Sequence, residues 1–202
     1  MADAVEQCFI TLSRTARAHW ILEADIRSCF DEISHEWLIA NVPMDKAILI
    51  GWLKAGYMHE GLFKSTDAGT PQGGIISPTL ANMALDGLQP LLKKTFWRSG
   101  LNPYKVNIIR YTDAFVVTGI TPEVLTDQVR PVIEQFLAER GLTLSPEKKK
   151  ITHITEGFYL LGMNVRKYNG RLSMKASPKS VKTFLSKVPR TVKSTLWLAR
   201  TS

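Results

Sequence analysis

The feature that most constrains the fold is the stretch at residues 108–119, which reads IIRYTDAFVVTG. Two runs of β-branched and aromatic residues flank a short polar interruption, and this pattern predicts two antiparallel strands joined by a tight turn. The turn holds the carboxylate of Asp113 on a rigid support. Asp is a favoured turn residue, so Asp113 serves either to form the turn or to bind a cation.

A second acid follows another predicted strand. Residues 20–25, WILEAD, form a short apolar run that ends in Asp25, and this pattern predicts a strand with the carboxylate at its exit. Two acids at the ends of neighbouring strands can share divalent cations about 4 Å apart, the arrangement used for displacement at phosphorus. We therefore expect Asp25 and Asp113 to meet and to serve polymerase chemistry.

The composition favours a polyanionic partner. The chain has 202 residues and a formal charge of +8, and Lys or Arg side chains that neutralise phosphates drive binding by counterion release. Charge alone is weak evidence, because basic proteins are common. No apolar run approaches a membrane span, and Cys8 and Cys29 are too few for a disulfide framework or a zinc site. We expect no membrane contact and a bacterial cytoplasmic or organellar matrix location.

Helical patterns surround the predicted strands, and together they predict an α+β fold in which helices pack on one face of an antiparallel sheet. The predicted helices cover residues 3–17, a turn capped by Ser34, 43–55, 77–91, 122–140 with an interruption at Pro131, and a last helix opened by Ser177. An Asn169-Gly170 pair predicts a hairpin. Trp37 and Trp52 are either base-stacking platforms or core residues, and helical spacing favours the core.

Five ordered blocks resemble the successive blocks of reverse transcriptases. They are AD at 24–25 with FD at 30–31, GTPQGGIISP at 69–78, RYTD at 110–113, LSPEK at 144–148 and FYLLG at 158–162. The blocks span residues 20 to about 166, and they look closest to the enzymes encoded by group II introns. Five blocks in order are a much more specific signal than any single motif.

The resemblance implies the right-hand polymerase palm and the activity of an RNA-directed DNA polymerase. It implies a palm with a remnant of the fingers over residues 1–176 and the start of an incomplete thumb helix over 177–202. The expected cofactor is Mg²⁺, which would support two-metal addition of deoxynucleotides. The expected partners are an RNA template, a DNA primer and deoxynucleoside triphosphates, with intron RNA as a further candidate.

The resemblance also implies roles for individual residues. Metal binding falls to Asp25, the Ile26 carbonyl and Asp113; nucleotide binding to Arg27, Phe30, Gln72 and Tyr111; primer binding to Leu161 and Gly162; and catalysis to Asp25, Asp113 and Lys148. Phe30 would exclude a 2′-hydroxyl, so the product would be DNA. Lys148 is the candidate proton donor to pyrophosphate, although a lysine among charged neighbours is more often a surface charge.

One departure from the family pattern lies in the turn. Where the family has Tyr-x-Asp-Asp, this chain has Tyr111-Thr112-Asp113-Ala114, so we expect little or no polymerase activity. A second hypothesis is a non-catalytic RNA-binding fragment or scaffold, for which Ala114 needs no explanation. A third is another palm enzyme, an RNA-templated RNA polymerase or a nucleotide cyclase, but Phe30 disfavours ribonucleotide use.

Overall fold

The structure is a computed structural model, and it describes residues 2–13, 18–59, 62–64, 68–70, 75–146 and 150–187. Its helices are α1 (Ala2–Leu12), α2 (Cys29–Glu32), α3 (His35–Asn41), α4 (Lys46–Lys54), α5 (Ser77–Leu85), α6 (Leu88–Phe96), a π-helix (Val124–Val129), α7 (Arg130–Ala138) and α8 (178–187). Its strands are β1 (Trp20–Asp25), β2 (Tyr57–His59), β3 (Leu62–Lys64), β4 (Asn107–Tyr111), β5 (Ala114–Gly119), β6 (Lys150–His153), β7 (Phe158–Leu160), β8 (Met163–Tyr168) and β9 (Arg171–Ala176).

The central sheet contains the two strands predicted around Asp113. Its order is β4-β5-β1-β6, and neighbouring strands are antiparallel. β4 and β5 are joined by a two-residue turn, Thr112 and Asp113, in which Thr112 has φ 56°. A positive φ at the first central residue is typical of a type II′ hairpin turn. The predicted hairpin is therefore confirmed.

Side chains of β1 alternate between two cores. Leu22 and Ala24 belong to a large core shared with the α2–α7 helices, whereas Ile21 belongs to a smaller core shared with α1 and the β7–β8–β9 sheet. The predicted α+β architecture is confirmed, with α2–α7 packed on one face of the antiparallel sheet. The second face, which α1 and the three-stranded sheet cover, was not part of the prediction.

The second sheet has the order β7-β8-β9. Asn169 and Gly170 join β8 to β9 with φ values of 49° and 78°, so the hairpin predicted from the Asn-Gly pair is confirmed. The run at residues 157–165 is not one strand, because Leu161 and Gly162 form a tight turn with φ values of 51° and 76°. This turn lies inside the predicted primer-binding block.

Two of the predicted helices begin or end at different residues. Ser34 caps α3 as expected, since its hydroxyl accepts the Trp37 N–H at 3.2 Å. The next helix begins at Lys46 because Asp45, not Pro43, caps it by accepting the Ile48 N–H at 3.0 Å. The helix predicted over 77–91 is interrupted between Leu85 and Leu88, which separates α5 from α6.

The prediction that Trp37 and Trp52 are core residues is confirmed for one and wrong for the other. Trp37 packs against the large core as expected, but Trp52 is 39% exposed. Phe9, on the first helix, is 52% exposed. α1 ends at Leu12, and residues 14–17 of the predicted helix lie outside the described residues. Both side chains sit on the solvent side of otherwise amphipathic helices.

The predicted interruption near Pro131 is confirmed. The chain is π-helical over Val124–Val129, and the Arg130 N–H donates to the Leu125 carbonyl five residues earlier. Pro131 lacks an N–H and cannot continue a regular ladder, and the wider turn lies directly before it. Among the described residues, every helix is too short or too polar to cross a lipid bilayer.

Candidate active site

Asp25 and Asp113 lie side by side at one end of the central sheet. β1 ends at Asp25, and the N–H of the following residue, Ile26, donates to the backbone carbonyl of Asp113 at 3.2 Å. Asp25 is also the register partner of Ala114. The structure thus brings together the two acids that the sequence analysis paired.

Ala114 occupies the middle of a row of side chains across three strands. Tyr111 pairs with Ala114 on one side, and Ala114 pairs with Asp25 on the other. Directly opposite residues in antiparallel strands have Cβ atoms about 4.5–5.5 Å apart. A carboxylate at position 114 would therefore face Asp25, and the methyl group leaves two acids where the family pattern has three.

The carbonyl of Ile26 lies on the same side as the turn. Ile26 pairs with Leu144 as an isolated antiparallel bridge, and its N–H points at Asp113. In an extended residue the N–H and the C=O point to the same side of the strand, so the Ile26 oxygen also faces the turn. Asp25, Asp113 and Ile26 supply only oxygen donors, which fits Mg²⁺ held through one or two carboxylates. Within the described ranges, no group of three or more His, Cys, Asp or Glu side chains could hold a metal.

Cys29 lies near enough to Asp25 and Asp113 for both charges to act on its thiol. Its side chain is 2% exposed, and burial raises the pKa of the Cys29 thiol to about 12, with the charges of Asp113 and Asp25 adding to the increase and Arg110 opposing it. Both acids therefore act on one buried sulfur. The thiol of Cys29 is therefore protonated at neutral pH.

Arg110 braces the turn that carries Asp113. Its guanidinium donates to the Thr112 carbonyl at 3.1 Å and to the Asn82 side-chain oxygen on α5 at 2.9 Å. Thr112 holds a positive φ that β-branched residues rarely adopt. No role was predicted for Arg110. Strand alternation could have indicated one, because it places Arg110 on the helix side of β4 when Tyr111 faces the site.

Phe30 lies where α2 meets the start of the glycine-rich block. The Thr70 N–H donates to the Phe30 carbonyl at 2.6 Å, and the Gly69 N–H donates to the Ile33 carbonyl at 2.8 Å. A Cβ on Gly69 would lie 2.5 Å from the Asp31 carbonyl group, and φ there is 77°. Only glycine allows this close approach. The first residues of the glycine-rich block at 69–78 are therefore held beside Phe30.

Of the remaining residues predicted to bind the nucleotide or transfer a proton, the structure describes two and leaves two outside the described residues. Arg27 is exposed, and its Nε lies 3.6 Å from the Glu32 carboxylate. Tyr111, at the end of β4, is 38% exposed. Gln72 and Lys148 lie outside the described residues.

Leu161 and Gly162 form the turn between β7 and β8, which packs on the start of α8. The Gly162 carbonyl accepts the Ser177 N–H at 2.7 Å and the Ser180 hydroxyl at 2.9 Å. The turn opens onto a groove of about 820 Å³, whose lining includes Tyr159, Thr183 and Phe184.

Glu23 connects the strand of Asp25 to β7. Its carboxylate accepts the Tyr159 N–H at 3.3 Å, and it shares one face of β1 with Asp25 because the two are two residues apart. Burial raises the pKa of Glu23, and the Tyr159 hydrogen bond, Lys150 and Thr152 oppose the increase. Glu23 was not predicted as a site residue, although its position two residues before Asp25 places it on the same face of the strand.

The chain matches a known protein family over most of its length. The family model described as "Reverse transcriptase (RNA-dependent DNA polymerase)" matches residues 3–165. The chain belongs to the reverse transcriptase family. The resemblance drawn from the five blocks is confirmed by this match, and the family generally uses a divalent metal.

The curated relatives include a group II intron-encoded protein, which is consistent with the predicted group II type. The group II intron-encoded protein LtrA of Lactococcus lactis subsp. cremoris is 42% identical over 77 residues, which cover 35% of this chain and 13% of LtrA. Protein YkfC of Escherichia coli (strain K12) is 28% identical over 180 residues, which cover 72% of this chain and 46% of YkfC. The chain thus matches less than half the length of either relative.

Solved structures confirm the palm fold. Apo telomerase from Candida tropicalis superposes with a TM-score of 0.59 at 12% sequence identity, covering 86% of this chain and 34% of that chain. Telomerase from Candida albicans, in complex with a fragment of telomeric RNA, gives a TM-score of 0.56 at 12% identity and covers 93% of this chain and 36% of that one. At this identity the likeness concerns the fold alone.

Proposed function

We propose that the chain is the palm of an RNA-directed DNA polymerase of the group II intron type, with activity impaired by Ala114. The observation that carries the proposal is the meeting of Asp25 and Asp113, joined by the hydrogen bond from Ile26 to the Asp113 carbonyl. Family membership supports the same reaction class. The palm would comprise residues 1–176, and residues 177–202 would begin the thumb.

The two carboxylates and the Ile26 carbonyl would hold Mg²⁺. When bound, the cations would lower the pKa of the primer 3′-hydroxyl and neutralise charge on the leaving pyrophosphate. Arg110 and the Thr112 carbonyl would keep the Asp113 turn in place. Phe30, fixed against Thr70, would pack under the sugar and exclude a 2′-hydroxyl.

The other residues would bind and orient the substrates. Tyr111 would support the primer end and the nucleotide from the turn, and Arg27 and Gln72 would contact the incoming nucleotide. Leu161 and Gly162 would hold the primer beside the groove. Lys148 would donate a proton to pyrophosphate.

Ala114 removes one carboxylate from the row that contains Asp25. If that carboxylate supplied about 3 kcal/mol of transition-state stabilisation, its loss would lower the rate on the order of a hundredfold. We therefore expect weak or undetectable polymerisation.

The partners and the location follow from the same proposal. The chain would act with an RNA template, a DNA primer and deoxynucleoside triphosphates, and intron RNA is a further candidate partner. LtrA is by its name a group II intron-encoded protein. The expected location is a bacterial cytoplasm or an organellar matrix.

Primer extension on an RNA template tests the proposal. With Mg²⁺ and deoxynucleotides, the chain should extend a DNA primer poorly, and Ala114→Asp should increase extension about a hundredfold. Asp25→Asn in the Ala114→Asp background should abolish the gain, and Ala114→Asn is the uncharged control. Robust extension by the unaltered chain, or no gain from Ala114→Asp alone, would contradict the proposed impairment.

Ala114 itself favours a second candidate function, a non-catalytic RNA-binding fragment or scaffold. This function predicts RNA binding that is salt-sensitive, independent of Mg²⁺ and unchanged by Asp25→Ala. Failure of Ala114→Asp to restore extension, together with such binding, would favour it over the polymerase.

A further inference from the structure

Among the described residues, the β7–β8–β9 sheet has one face with exposed side chains, and α8 lines a groove beside Tyr159 at the edge of this face. Phe158 and Val165 point into the small core, so the alternating residues point away from it. The register places Tyr159 opposite Asn164, and Asn164 opposite Lys175. The outer face consists of Tyr159, Asn164, Arg166, Tyr168, Arg171 and Lys175, with Ser173 opposite Arg166.

Two tyrosines on this outer face are available for contact. Tyr159 is 60% exposed and Tyr168 is 52% exposed. They lie on neighbouring strands and are offset by four residues along β8, which corresponds to roughly 13 Å. The Arg166 guanidinium lies 4.8 Å from the centre of the Tyr168 ring, and its Nε donates to the Thr155 carbonyl at 2.5 Å. Tyr168 therefore presents a ring whose neighbour is a fixed cation.

The charge of this region has one sign. Residues 158–187 contain seven Lys or Arg side chains and no Asp or Glu. Arg171 pairs with Tyr168 across β8 and β9, and Lys175 lies in the row of Tyr159. Tyr168 thus has a cation directly opposite it, Tyr159 has one two strands away in the same row, and a docked phosphate chain would meet no acidic residue from these strands.

Exposed aromatic rings between cations on a sheet face are typical of surfaces that bind single-stranded nucleic acid by stacking. Asn164 is opposite Tyr159 and Ser173 is opposite Arg166, and the side chains of Asn164 and Ser173 can hydrogen-bond a 2′-hydroxyl. We propose that the outer face of the β7–β8–β9 sheet binds single-stranded RNA, separately from the Asp25 and Asp113 site. The inference does not depend on polymerase activity, because neither acid contributes to this face.

The test is fluorescence anisotropy with a short labelled oligouridylate in EDTA, which removes divalent cations. Tyr159→Ala with Tyr168→Ala should weaken binding roughly thirtyfold or more, since stacking on an aromatic side chain contributes substantially for each base. Tyr159→Phe with Tyr168→Phe keeps both rings and should stay within about threefold of the unaltered chain. Unchanged binding by the alanine pair, or equal losses in both pairs, would overturn the proposal.

A charge-matched comparison separates the outer face from net charge. Arg171→Gln with Lys175→Gln should reduce the slope of log K against log salt by about 1.4 for a single strand. Lys46→Gln with Lys54→Gln removes the same charge from α4, which packs on the opposite side of the central sheet, and should leave the slope unchanged. Equal effects of the two pairs would overturn the assignment to this face.

A DNA probe tests the choice of RNA. A labelled oligodeoxyuridylate of the same length should bind less tightly than the oligouridylate, because it lacks the 2′-hydroxyl. Equal affinities would overturn the assignment to RNA. Matching urea midpoints for the alanine and phenylalanine pairs would show that any loss of binding does not come from unfolding.

Discussion

The substitution Ala114→Asp tests how the site is built, without any assay of activity. Position 114 is the register partner of Asp25, so the new carboxylate would lie about 5 Å from the existing one. Two unit charges at that distance repel by about 1 kcal/mol in water and about 3 kcal/mol at an effective dielectric of 20. Without a cation, the variant should be less stable than the unaltered chain by about 1–3 kcal/mol.

Urea unfolding measures this cost, and Ala114→Asn is the matched control. Asparagine has nearly the same size and similar strand propensity, so the difference between the two variants reports the charge alone. In EDTA at pH 7 and low salt, Ala114→Asp should unfold at a lower urea concentration than Ala114→Asn. The gap should narrow as pH falls through the carboxylate range, because protonation removes the repulsion.

Adding Mg²⁺ should narrow the gap between the urea midpoints of the two variants. A cation that binds only the folded chain stabilises it by about 1.4 kcal/mol when its concentration is ten times the dissociation constant. Mg²⁺ should therefore raise the urea midpoint of Ala114→Asp more than that of Ala114→Asn. Equal midpoints in EDTA, or equal responses to Mg²⁺, would refute the placement of position 114 beside Asp25 in a cation site.

Three further predictions concern the surroundings of the site. Arg110→Gln should lower the free energy of unfolding, measured by urea titration, by about 2 kcal/mol. Arg130→Gln, which breaks an exposed ion pair to Glu134, should change it by less than about 0.5 kcal/mol. Similar losses in the two variants would contradict the role of Arg110 in holding the Asp113 turn. Gly69→Ala should lower the free energy of unfolding by at least about 2 kcal/mol and Gly100→Ala by about 1 kcal/mol. Both glycines have φ 77°, but only at Gly69 would an added Cβ meet backbone atoms. Equal losses would contradict the close approach of the backbone at Gly69. Burial raises the pKa of both thiols, Cys8 and Cys29, to about 12 from 9.0. The unfolded chain therefore loses these protons first, and the free energy of unfolding should fall as pH rises above about 9. If this fall is the same when both cysteines are replaced by alanine, the prediction is contradicted.

The parts of the fold that the sequence predicted were those with strong local signals. The run at 108–119 and the Asn169-Gly170 pair each combine strand residues with a specific turn chemistry. Ser34 caps α3 through its own side chain, and Pro131 lies directly after the π-helix. In each case one residue forces the local geometry, so the pattern is visible without tertiary contacts.

The parts that the sequence did not predict depend on tertiary packing. Apolar periodicity shows that a side chain is on an amphipathic face, but it did not reveal that Trp52 stays exposed or that a second sheet covers the other face of β1. The turn at Leu161 and Gly162 was not predicted either, and the Gly162 carbonyl accepts hydrogen bonds there from Ser177 and Ser180, which are distant in sequence. Nothing local marks these contacts.

The meeting of Asp25 and Asp113 was predicted from the sequence, and the contacts that support them were not. Asp25 and Asp113 follow strand patterns, and their family blocks identified them. The braces, Arg110 and Glu23, act through partners distant in sequence, Asn82 on α5 and Tyr159 on β7. Such pairs become visible only when the fold brings the elements together.

The central claim is that Asp25 and Asp113 hold divalent cations in one pocket. Electron paramagnetic resonance of Mn²⁺ measures this directly, by counting the ions bound per chain with a deoxynucleoside triphosphate present. The unaltered chain should bind Mn²⁺ weakly, Ala114→Asp should bind it more tightly, and Asp25→Asn and Asp113→Asn should each lose the same binding. Mn²⁺ binding that is unchanged in either asparagine variant would contradict the claim.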